Sequence, residues 1–301
     1  MRDPMHPAQF TVAKNRRDLP GLVSLTVEPR SNADRIAFSP GQFNMLYAFG
    51  VGEVPISISG DPTAQGTAIV HTIRSVGAVT RALCGLKKGN TLGVRGPFGT
   101  PWPLEGVEGE DIIIIAGGLG LAPLRPAIYS VLSRREKYGR FIILYGARSP
   151  ADLLYARELR DWRGRFDVEV EVTVDRSAAG WRGNVGVVPA LISRKNISPE
   201  DTAAFLCGPE VMMRFSALEL LAAGLPEEGI DPETMTPADV DGIAAARGAD
   251  AALGLLNRAK VVRLKQLARR YADFPMEARK ISRASKARLI EAFKAYYENK
   301  K

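Results

Sequence analysis

The sequence predicts an all-β N-terminal region, then a doubly wound parallel α/β domain, then a basic helical extension. Three observations lead to this prediction. Short apolar runs separated by turn residues fill the N-terminal third, strands alternate with longer helical patterns after Pro103, and positive charge gathers at the C-terminal end. We therefore expect three parts, over residues 1–104, 105–223 and 224–301.

The N-terminal part contains five short runs rich in β-branched and aromatic residues. They are "LVSLTVEP", "QFNMLYAF", "PISISG", "AIVHTIRSV" and "TLGVRGPFG", and turn-forming stretches such as "SPGQ", "GDPTAQG" and "KKGN" separate them. Short strands at this spacing are typical of a barrel or a sandwich. The segment "TRALCGL" between the last two runs is expected to be a short helix.

The second part alternates strand and helix patterns. The run "DIIIIAG" is continuously apolar, as a strand covered on both faces would be. A predicted helix, "APLRPAIYSVLSRREKYG", follows it, and the strand "RFIILYGA" precedes a second predicted helix, "SPADLLYARELRDW". "FDVEVEVTVD" and "TAAFLCG" are further strands, and a helix over "PEVMMRFSALELLAAG" ends the pattern. This alternation predicts a parallel sheet with helices on both faces.

The stretch "IIIIAGGLGLAPLRP" places stiff strand formers directly before glycines. Ligands of doubly wound sheets bind beyond the carboxyl ends of the strands, and a backbone that approaches a phosphate closely has no room for a Cβ atom. A helix beginning near Ala122 and Pro123 would offer free N–H groups and a positive dipole end to an anion. We interpret Gly117, Gly118 and Gly120 as a pyrophosphate-binding loop. A tight strand–helix turn without a ligand would give the same local pattern, and the spacing differs from G-x-G-x-x-G.

Composition and charge restrict the possible functions. Two cysteines and two histidines are too few to ligate a metal cluster, and so few cysteines favour a reducing cytoplasm. No signal peptide or membrane-spanning run is evident. The net charge is +8, but residues 251–301 carry 14 basic and 4 acidic residues, so the rest of the chain sums to 8 − 10 = −2. Because the basicity belongs to the C-terminal extension, nucleic-acid binding is not expected of the chain.

Six motifs together resemble the ferredoxin-NADP reductase superfamily. They are "VPISIS", "HTIRSVGAVT", "GVRGPFG", "IIIIAGGLGLAP", "LYGARSPADLLY" and "CGPEVMM", and they occur in the family's order between about residues 7 and 223. Within it the motifs most resemble the flavin- and NAD(P)-binding γ subunits of cytoplasmic nickel-iron hydrogenases, or sulfhydrogenases. They are also similar to electron-transfer subunits of dihydroorotate dehydrogenase and anaerobic sulfite reductase. The resemblance implies an N-terminal antiparallel β-barrel that binds FAD and a doubly wound domain that binds NAD(P)H.

The resemblance also implies cofactor-binding residues in both domains. The residues expected along FAD are Pro55, Ile56, Ser57, Thr72, Ile73, Arg74, Gly77 and Thr80. Those expected at NAD(P)H are Gly117, Gly118, Gly120, Pro123, Arg148, Cys207 and Gly208. Two of these carry the catalytic assignment, with Ser57 expected near flavin N5 and Cys207 by the nicotinamide.

Several of these assignments have an alternative in local structure. Ser57 alternates in a strand and could face solvent. Thr80 could cap a helix, and Cys207 could be a small buried apolar residue. Arg148 could meet a 2′-phosphate or lie on an exposed loop.

The chain departs from the family pattern in two places. Val54 and Ile56 stand where many members have an arginine and a tyrosine, so part of the FAD phosphate binding must come from elsewhere. Hydrogenase-type subunits also carry a cysteine-rich segment that ligates a [2Fe–2S] cluster through four thiolates, and no cysteine follows Cys207 here. We therefore expect an FAD-dependent NAD(P)H oxidoreductase subunit. It would split hydride electrons and exchange them with iron-sulfur centres of partner subunits in a hydrogenase-like complex.

Two other functions stay open from the sequence. One is a stand-alone reductase that transfers electrons from NAD(P)H to ferredoxin, flavodoxin or free flavin. The other is a non-catalytic binding module that acts through the basic extension. That extension reads as one or two amphipathic helices, which could wrap an acidic partner subunit, lie on an anionic membrane face, or remain solvated.

Overall fold

The computed structural model describes residues 6–225, 253, 274–276, 280–281 and 284–298. The chain groups into two compact units. The first comprises Met1–Leu191 and Asp201–Pro209, and the second Ile192–Glu200 and Glu210–Lys301. The expected domain boundaries after residues 104 and 223 stay a prediction.

Six antiparallel strands form the N-terminal sheet. They are β1 (Ala8–Leu19), β2 (Leu22–Pro29), β3 (Phe43–Ala48), β4 (Gly52–Ser57), β5 (Ile69–Arg74) and β6 (Thr91–Phe98), in the spatial order β4-β3-β6-β1-β2-β5. An isolated antiparallel bridge between Ile58 and His71 joins the two outer strands. The sheet therefore closes into a barrel, which confirms the expected antiparallel architecture. Helix α1 (Ala78–Cys84) follows β5.

The long first strand, β1, is absent from the sequence prediction. Only its first half shows the alternation that marks a half-buried strand, with Phe10 and Val12 in the barrel core. Its second half reads "KNRRD", which carries no apolar signal. That half pairs with β2 across register shifts next to Lys14 and Leu19, so backbone pairing rather than side-chain burial defines it.

Five parallel strands form the second sheet. In chain order its elements are β7 (Asp111–Gly117), α2 (Leu121–Ser133), β8 (Phe141–Ala147), α3 (Ala156–Arg163), β9 (Glu169–Val174), β10 (Asn184–Val185), α4 (Pro189–Ile192) and β11 (Thr202–Cys207). The spatial order is β10-β9-β8-β7-β11, so the chain reverses direction across the sheet between β7 and β11. The isoleucines of β7 are fully buried, as expected for a central parallel strand. The predicted doubly wound sheet is confirmed.

The second predicted helix of this sheet is shorter than expected. Residues 150–152 form a single 3-10 turn, and α3 begins only at Ala156. Tyr155, directly before it, has φ 55° and ψ 38°, a left-handed conformation that costs roughly 1–2 kcal/mol for a residue with a Cβ atom. The helix therefore cannot extend back through the leucines of "SPADLLY", although their spacing favours it.

The second unit contains α5 (Glu210–Ala223) and α6 (Lys286–Glu298). Leu289 and Phe293 of α6 are buried, and the Phe293 ring packs against Phe274 at 4.6 Å between centroids. The predicted amphipathic helix over "KARLIEAFKAYYE" is thus confirmed. The acidic linker and nearly all of "DAALGLLNRAKVVRLKQLARRYADF" lie outside the described residues. Within the described part of the chain, no helix has the length and apolar character needed to cross a bilayer.

Candidate functional site

The site lies where the parallel sheet reverses its strand order. Strands β7 and β11 are neighbours, and Ala116 near the end of β7 pairs with Cys207 at the end of β11. The two loops that follow therefore start side by side at the carboxyl edge of the sheet. In doubly wound sheets this switch point is where ligands bind.

The glycines after β7 serve two different purposes. Gly118 has φ +53°, and a Cβ atom there would find no other atom within 4 Å, so its outer side is open. A Cβ atom on Gly120 would instead overlap the carbonyl group of Cys207 and lie 2.6 Å from the amide nitrogen of Gly208. The contact that requires Gly120 is therefore with the facing protein loop, and the phosphate-binding role expected of Gly120 stays a prediction. The open side at Gly118 fits the close approach of a dinucleotide.

Helix α2 begins directly after this loop. A single 3-10 turn over Gly118–Gly120 leads into Leu121, one residue earlier than expected. Pro123 lies in the first turn, where a missing N–H is tolerated, and its carbonyl accepts a hydrogen bond of 3.5 Å from the Trp102 indole. The first-turn amides of α2 therefore begin at the switch point.

Cys207 closes β11 at the same point. Its side chain is half-buried and packs against the core of the sheet. Burial raises the pKa of the Cys207 thiol, so the group stays protonated at neutral pH and is a poor nucleophile. Cys207 can therefore shape and desolvate the site, but it is not activated for covalent chemistry.

Two arginines follow neighbouring strands at this edge. Arg148 comes after β8 and Arg176 after β9, and the Arg176 N–H donates to the Arg148 carbonyl at 3.0 Å. Both residues are exposed. The sequence prediction included Arg148 but missed Arg176, because its proximity depends on the pairing of β8 with β9.

In the barrel, the backbone around Ser57 is held by two buried polar side chains. Ser57 ends β4 and is half-buried, whereas Pro55 is exposed. His71 Nδ1–H donates to the Ser57 carbonyl at 3.1 Å, and Asn44 Nδ2 donates to His71 Nε2 at 3.2 Å. Both His71 and Asn44 are fully buried, and burial lowers the pKa of His71 to about 4. The imidazole is therefore neutral with its proton on Nδ1.

The three predicted flavin-tail residues of β5 lie in different environments. Ile73 is fully buried in the barrel core. Ile56, on the neighbouring strand β4, is half-buried and packs against the same core. Thr72 is buried, and its hydroxyl bonds to side chains of the protein. Arg74 is exposed. Among these three, Arg74 has the side chain best placed to meet a bound anion.

Thr80 caps helix α1. Its Oγ1 accepts hydrogen bonds from the N–H groups of Val76 at 3.0 Å and Gly77 at 2.8 Å, and donates to the Gly77 carbonyl at 3.1 Å. The hydroxyl is thus occupied by the backbone. The groups that remain for a phosphate are the first-turn amides of α1, which precede the first helical donor, Arg81 N–H to Gly77 O.

Comparisons of the sequence and of the structure with known proteins agree with one another. The family described as "Oxidoreductase NAD-binding domain" matches residues 114–217. The γ subunit of sulfhydrogenase 1 from Pyrococcus furiosus is 38% identical over 201 residues, which cover 66% of this chain and 68% of that protein. A probable dihydroorotate dehydrogenase B (NAD(+)) electron transfer subunit from Methanocella arvoryzae is 34% identical over 210 residues, covering 69% and 71%. The cytochrome b5 reductase domain of Ulva prolifera nitrate reductase shares the fold with a TM-score of 0.63 at 19% identity, covering 76% and 96%.

A closed antiparallel barrel followed by a doubly wound sheet, with a glycine loop at its switch point, defines the two-domain reductase class typified by ferredoxin-NADP reductase. The chain belongs to the family of FAD-dependent NAD(P)H oxidoreductases that includes the sulfhydrogenase γ subunits and the dihydroorotate dehydrogenase electron-transfer subunits. The cofactor classes expected from the sequence, FAD and NAD(P)H, are those of this family.

Proposed function

We propose that this chain is the nucleotide-binding electron-transfer subunit of a larger redox complex. It takes electrons from NAD(P)H, or returns them, and exchanges them with iron-sulfur centres on partner subunits of a hydrogenase-like assembly. The open side of Gly118 at the strand-order switch, directly before the first turn of α2, is the observation that carries the nucleotide part of the proposal. The partner part is supported by the names of the relatives and by the presence of only two cysteines in 301 residues.

The residues of the chain contribute position and desolvation. Bound flavin supplies the conversion between two-electron hydride chemistry and one-electron transfer. The Gly118–Gly120 loop and the first turn of α2 would hold the NAD(P)H pyrophosphate, and Cys207 would keep water from the nicotinamide. In the barrel, His71 holds the peptide of Ser57, whose side chain would face flavin N5. Positioning of this kind can supply about 7–11 kcal/mol of barrier reduction.

The phosphates of FAD need a cation because the family's arginine is replaced by Val54. Arg74 is exposed at the end of β5, two residues before Val76, whose N–H donates to Thr80 Oγ1. Together with the first-turn amides of α1 it would bind the FAD pyrophosphate. Gly77, the N-cap residue, allows the cofactor to approach the backbone.

Arg148 and Arg176 would bind a 2′-phosphate. Two exposed guanidinium groups on loops joined by a hydrogen bond suit a dianion better than a ribose hydroxyl. This arrangement favours NADPH over NADH. Replacement of Arg148 tests this preference directly, because it should weaken the binding of NADPH and leave that of NADH unchanged.

The proposal is tested by isolating the native complex through a tag on this chain and recording its visible spectrum. We expect flavin and iron-sulfur absorbance, with both decreasing on addition of NAD(P)H under anaerobic conditions. Flavin absorbance without iron-sulfur partners, with rapid ferredoxin reduction by the isolated chain, would favour the stand-alone reductase. A colourless chain would favour the non-catalytic binding module. Both cysteines are free thiols, which suits the reducing cytoplasm that we also propose.

A further inference from the structure

A polar network, buried on its barrel side and half-buried on its other side, ties the barrel to the parallel sheet within the first unit. We infer that Arg125 and Tyr155, through this network, are positioning residues that set how the nicotinamide stacks on the flavin. The inference rests on the proposed function, because it assigns no role without two bound nucleotides. Tyr155 is the last residue of the "LYGARSPADLLY" motif but is not among the cofactor-binding residues expected from the sequence, and Arg125 lies two residues after the "IIIIAGGLGLAP" motif.

The barrel side of the network consists of three hydroxyl groups. Thr72 Oγ1 lies 2.8 Å from Ser59 Oγ and 3.0 Å from Ser24 Oγ, and all three residues are buried. The hydroxyl of Tyr155 lies 2.6 Å from Thr72 Oγ1. A residue directly before α3 is thereby bonded to the middle of barrel strand β5.

The other side of the network is centred on Arg125 of α2. Its guanidinium donates to the Ser59 carbonyl in the barrel at 2.8 Å. It also forms a two-point ion pair with Glu158 of α3, at 2.6 Å from Nε and 2.8 Å from Nη2. The same group stacks on the Tyr155 ring at 4.4 Å, and Tyr129 donates to Glu158 at 2.8 Å.

The network is costly to form, which argues against stability as its main purpose. Burial alone would lower the pKa of Arg125, but the hydrogen bonds to Glu158 and the Coulombic interactions with Tyr155, Glu158 and Tyr129 together outweigh it and raise the pKa, so the pair stays charged. The Arg125 and Glu158 side chains are 11% and 19% exposed, and replacing such a largely desolvated ion pair by apolar residues is often neutral or stabilising. Tyr155 also holds a left-handed backbone, and strain of this kind clusters at functional sites. We therefore infer that the network serves to fix the geometry of the elements that it joins.

The network acts on the elements that carry the nucleotide loops. Helix α2 starts at Leu121, immediately after the glycine loop, and Arg125 lies one turn further on. Tyr155 ends the loop that begins with Arg148 after β8. A shift of either element relative to the barrel would therefore displace the NAD(P)H loops relative to a flavin held by the barrel. A misplacement of about 1 Å can cost on the order of 100-fold in rate.

Two conservative variants and two matched controls test the inference. Tyr155→Phe removes the hydroxyl that bonds to Thr72. Arg125→Lys keeps the positive charge but removes the guanidinium group that forms the two-point ion pair with Glu158. Tyr138→Phe is the control for the first, because Tyr138 is equally buried and donates to the Leu104 carbonyl at 3.3 Å. Arg135→Lys is the control for the second, because Arg135 donates to three backbone carbonyls, all between residues 138 and 167.

Spectroscopic, kinetic, binding and hydrogen-exchange measurements separate an effect on geometry from an effect on stability. We expect Tyr155→Phe and Arg125→Lys to lose the long-wavelength charge-transfer absorbance of nicotinamide stacked on flavin and to slow flavin reduction by about tenfold or more. FAD occupancy and the Kd of NAD(P)H should change by less than about twofold. In the FAD-free chain, amide hydrogen exchange should rise in both the 58–72 and 121–125 segments. The controls should keep the charge-transfer band even where Tm falls.

The outcomes are distinct. A charge-transfer band and reduction rate equal to those of the wild type in both variants would overturn the inference, as would the same losses in the control variants. Loss of FAD from the wild-type chain itself would instead overturn the proposed function. If Arg125→Lys fails to fold, Tyr155→Phe alone decides the inference, because it deletes a single oxygen atom.

Discussion

His71 is predicted to stay neutral in the folded chain well below the pH at which a free histidine becomes charged. Its pKa is lowered from 6.5 to about 4 because the ring is fully buried, with Asn44 and the Ser57 carbonyl as its partners. As the pH falls below about 6.5 the unfolded chain binds a proton that the folded chain refuses until about pH 4. Stability is therefore complete above 6.5 and is lost progressively in this window. The loss is about 2 kcal/mol at pH 5 and about 3 kcal/mol near pH 4.

His71→Gln is the variant that isolates this effect. Glutamine can still donate to Ser57 but does not titrate, so carboxylate effects cancel when the two proteins are compared. We expect the free energy of urea unfolding, measured with excess FAD, to fall more steeply in the wild type than in His71→Gln between pH 7.5 and 5. The chain has only two histidines, so nitrogen-15 NMR of labelled imidazoles can also identify the tautomer. An equal pH dependence in both proteins, or a charged ring at pH 6, would refute this reasoning.

Three further predictions concern the nucleotide loops and the helix cap. Gly120→Ala should cost about 1–3 kcal/mol of stability, because its Cβ would overlap the facing loop. Gly118→Ala should cost only about 1 kcal/mol of backbone strain but should weaken NAD(P)H binding, because its Cβ would occupy the open side that the dinucleotide approaches. Calorimetry and nucleotide titration distinguish the two, and equal effects would contradict the loop-contact explanation. Arg148→Ala should raise the Kd of NADPH about tenfold and leave that of NADH unchanged, and Arg176→Ala should do the same. Thr80→Ala should lower stability by about 1 kcal/mol, and an unchanged Tm would rule out the cap.

Strands with continuous or alternating apolar runs could be predicted from sequence, since burial fixes their pattern. The buried isoleucines of β7 and the run of β2 are such cases. The polar half of β1 could not be predicted, because it is defined by pairing with β2. The shortened α3 could not be predicted either, because Tyr155 adopts its left-handed backbone where its hydroxyl reaches Thr72, 83 residues earlier in the chain.

The candidate site also has a part that could be predicted from the sequence and a part that could not. The glycine loop and the Cys207–Gly208 pair are contiguous motifs, so the sequence locates them without a structure. The hydrogen bond from His71 to Ser57 joins residues 14 positions apart, and the one from Arg125 to Ser59 joins residues 66 positions apart. No local sequence pattern marks these two contacts. Such contacts follow from strand register and helix placement. They are the part of the site that only the folded arrangement supplies.

The central claim is that the barrel and the parallel sheet hold FAD and NAD(P)H side by side. The most direct test is the flavin content of the chain purified with its partner subunits, followed by anaerobic titration with NADPH. The account predicts about one FAD per chain and loss of its visible absorbance on NADPH addition, with more than one equivalent consumed because the iron-sulfur centres of the partners take up electrons as well. A chain that retains no flavin in the intact complex, or flavin that NADPH and NADH both fail to reduce, would contradict it.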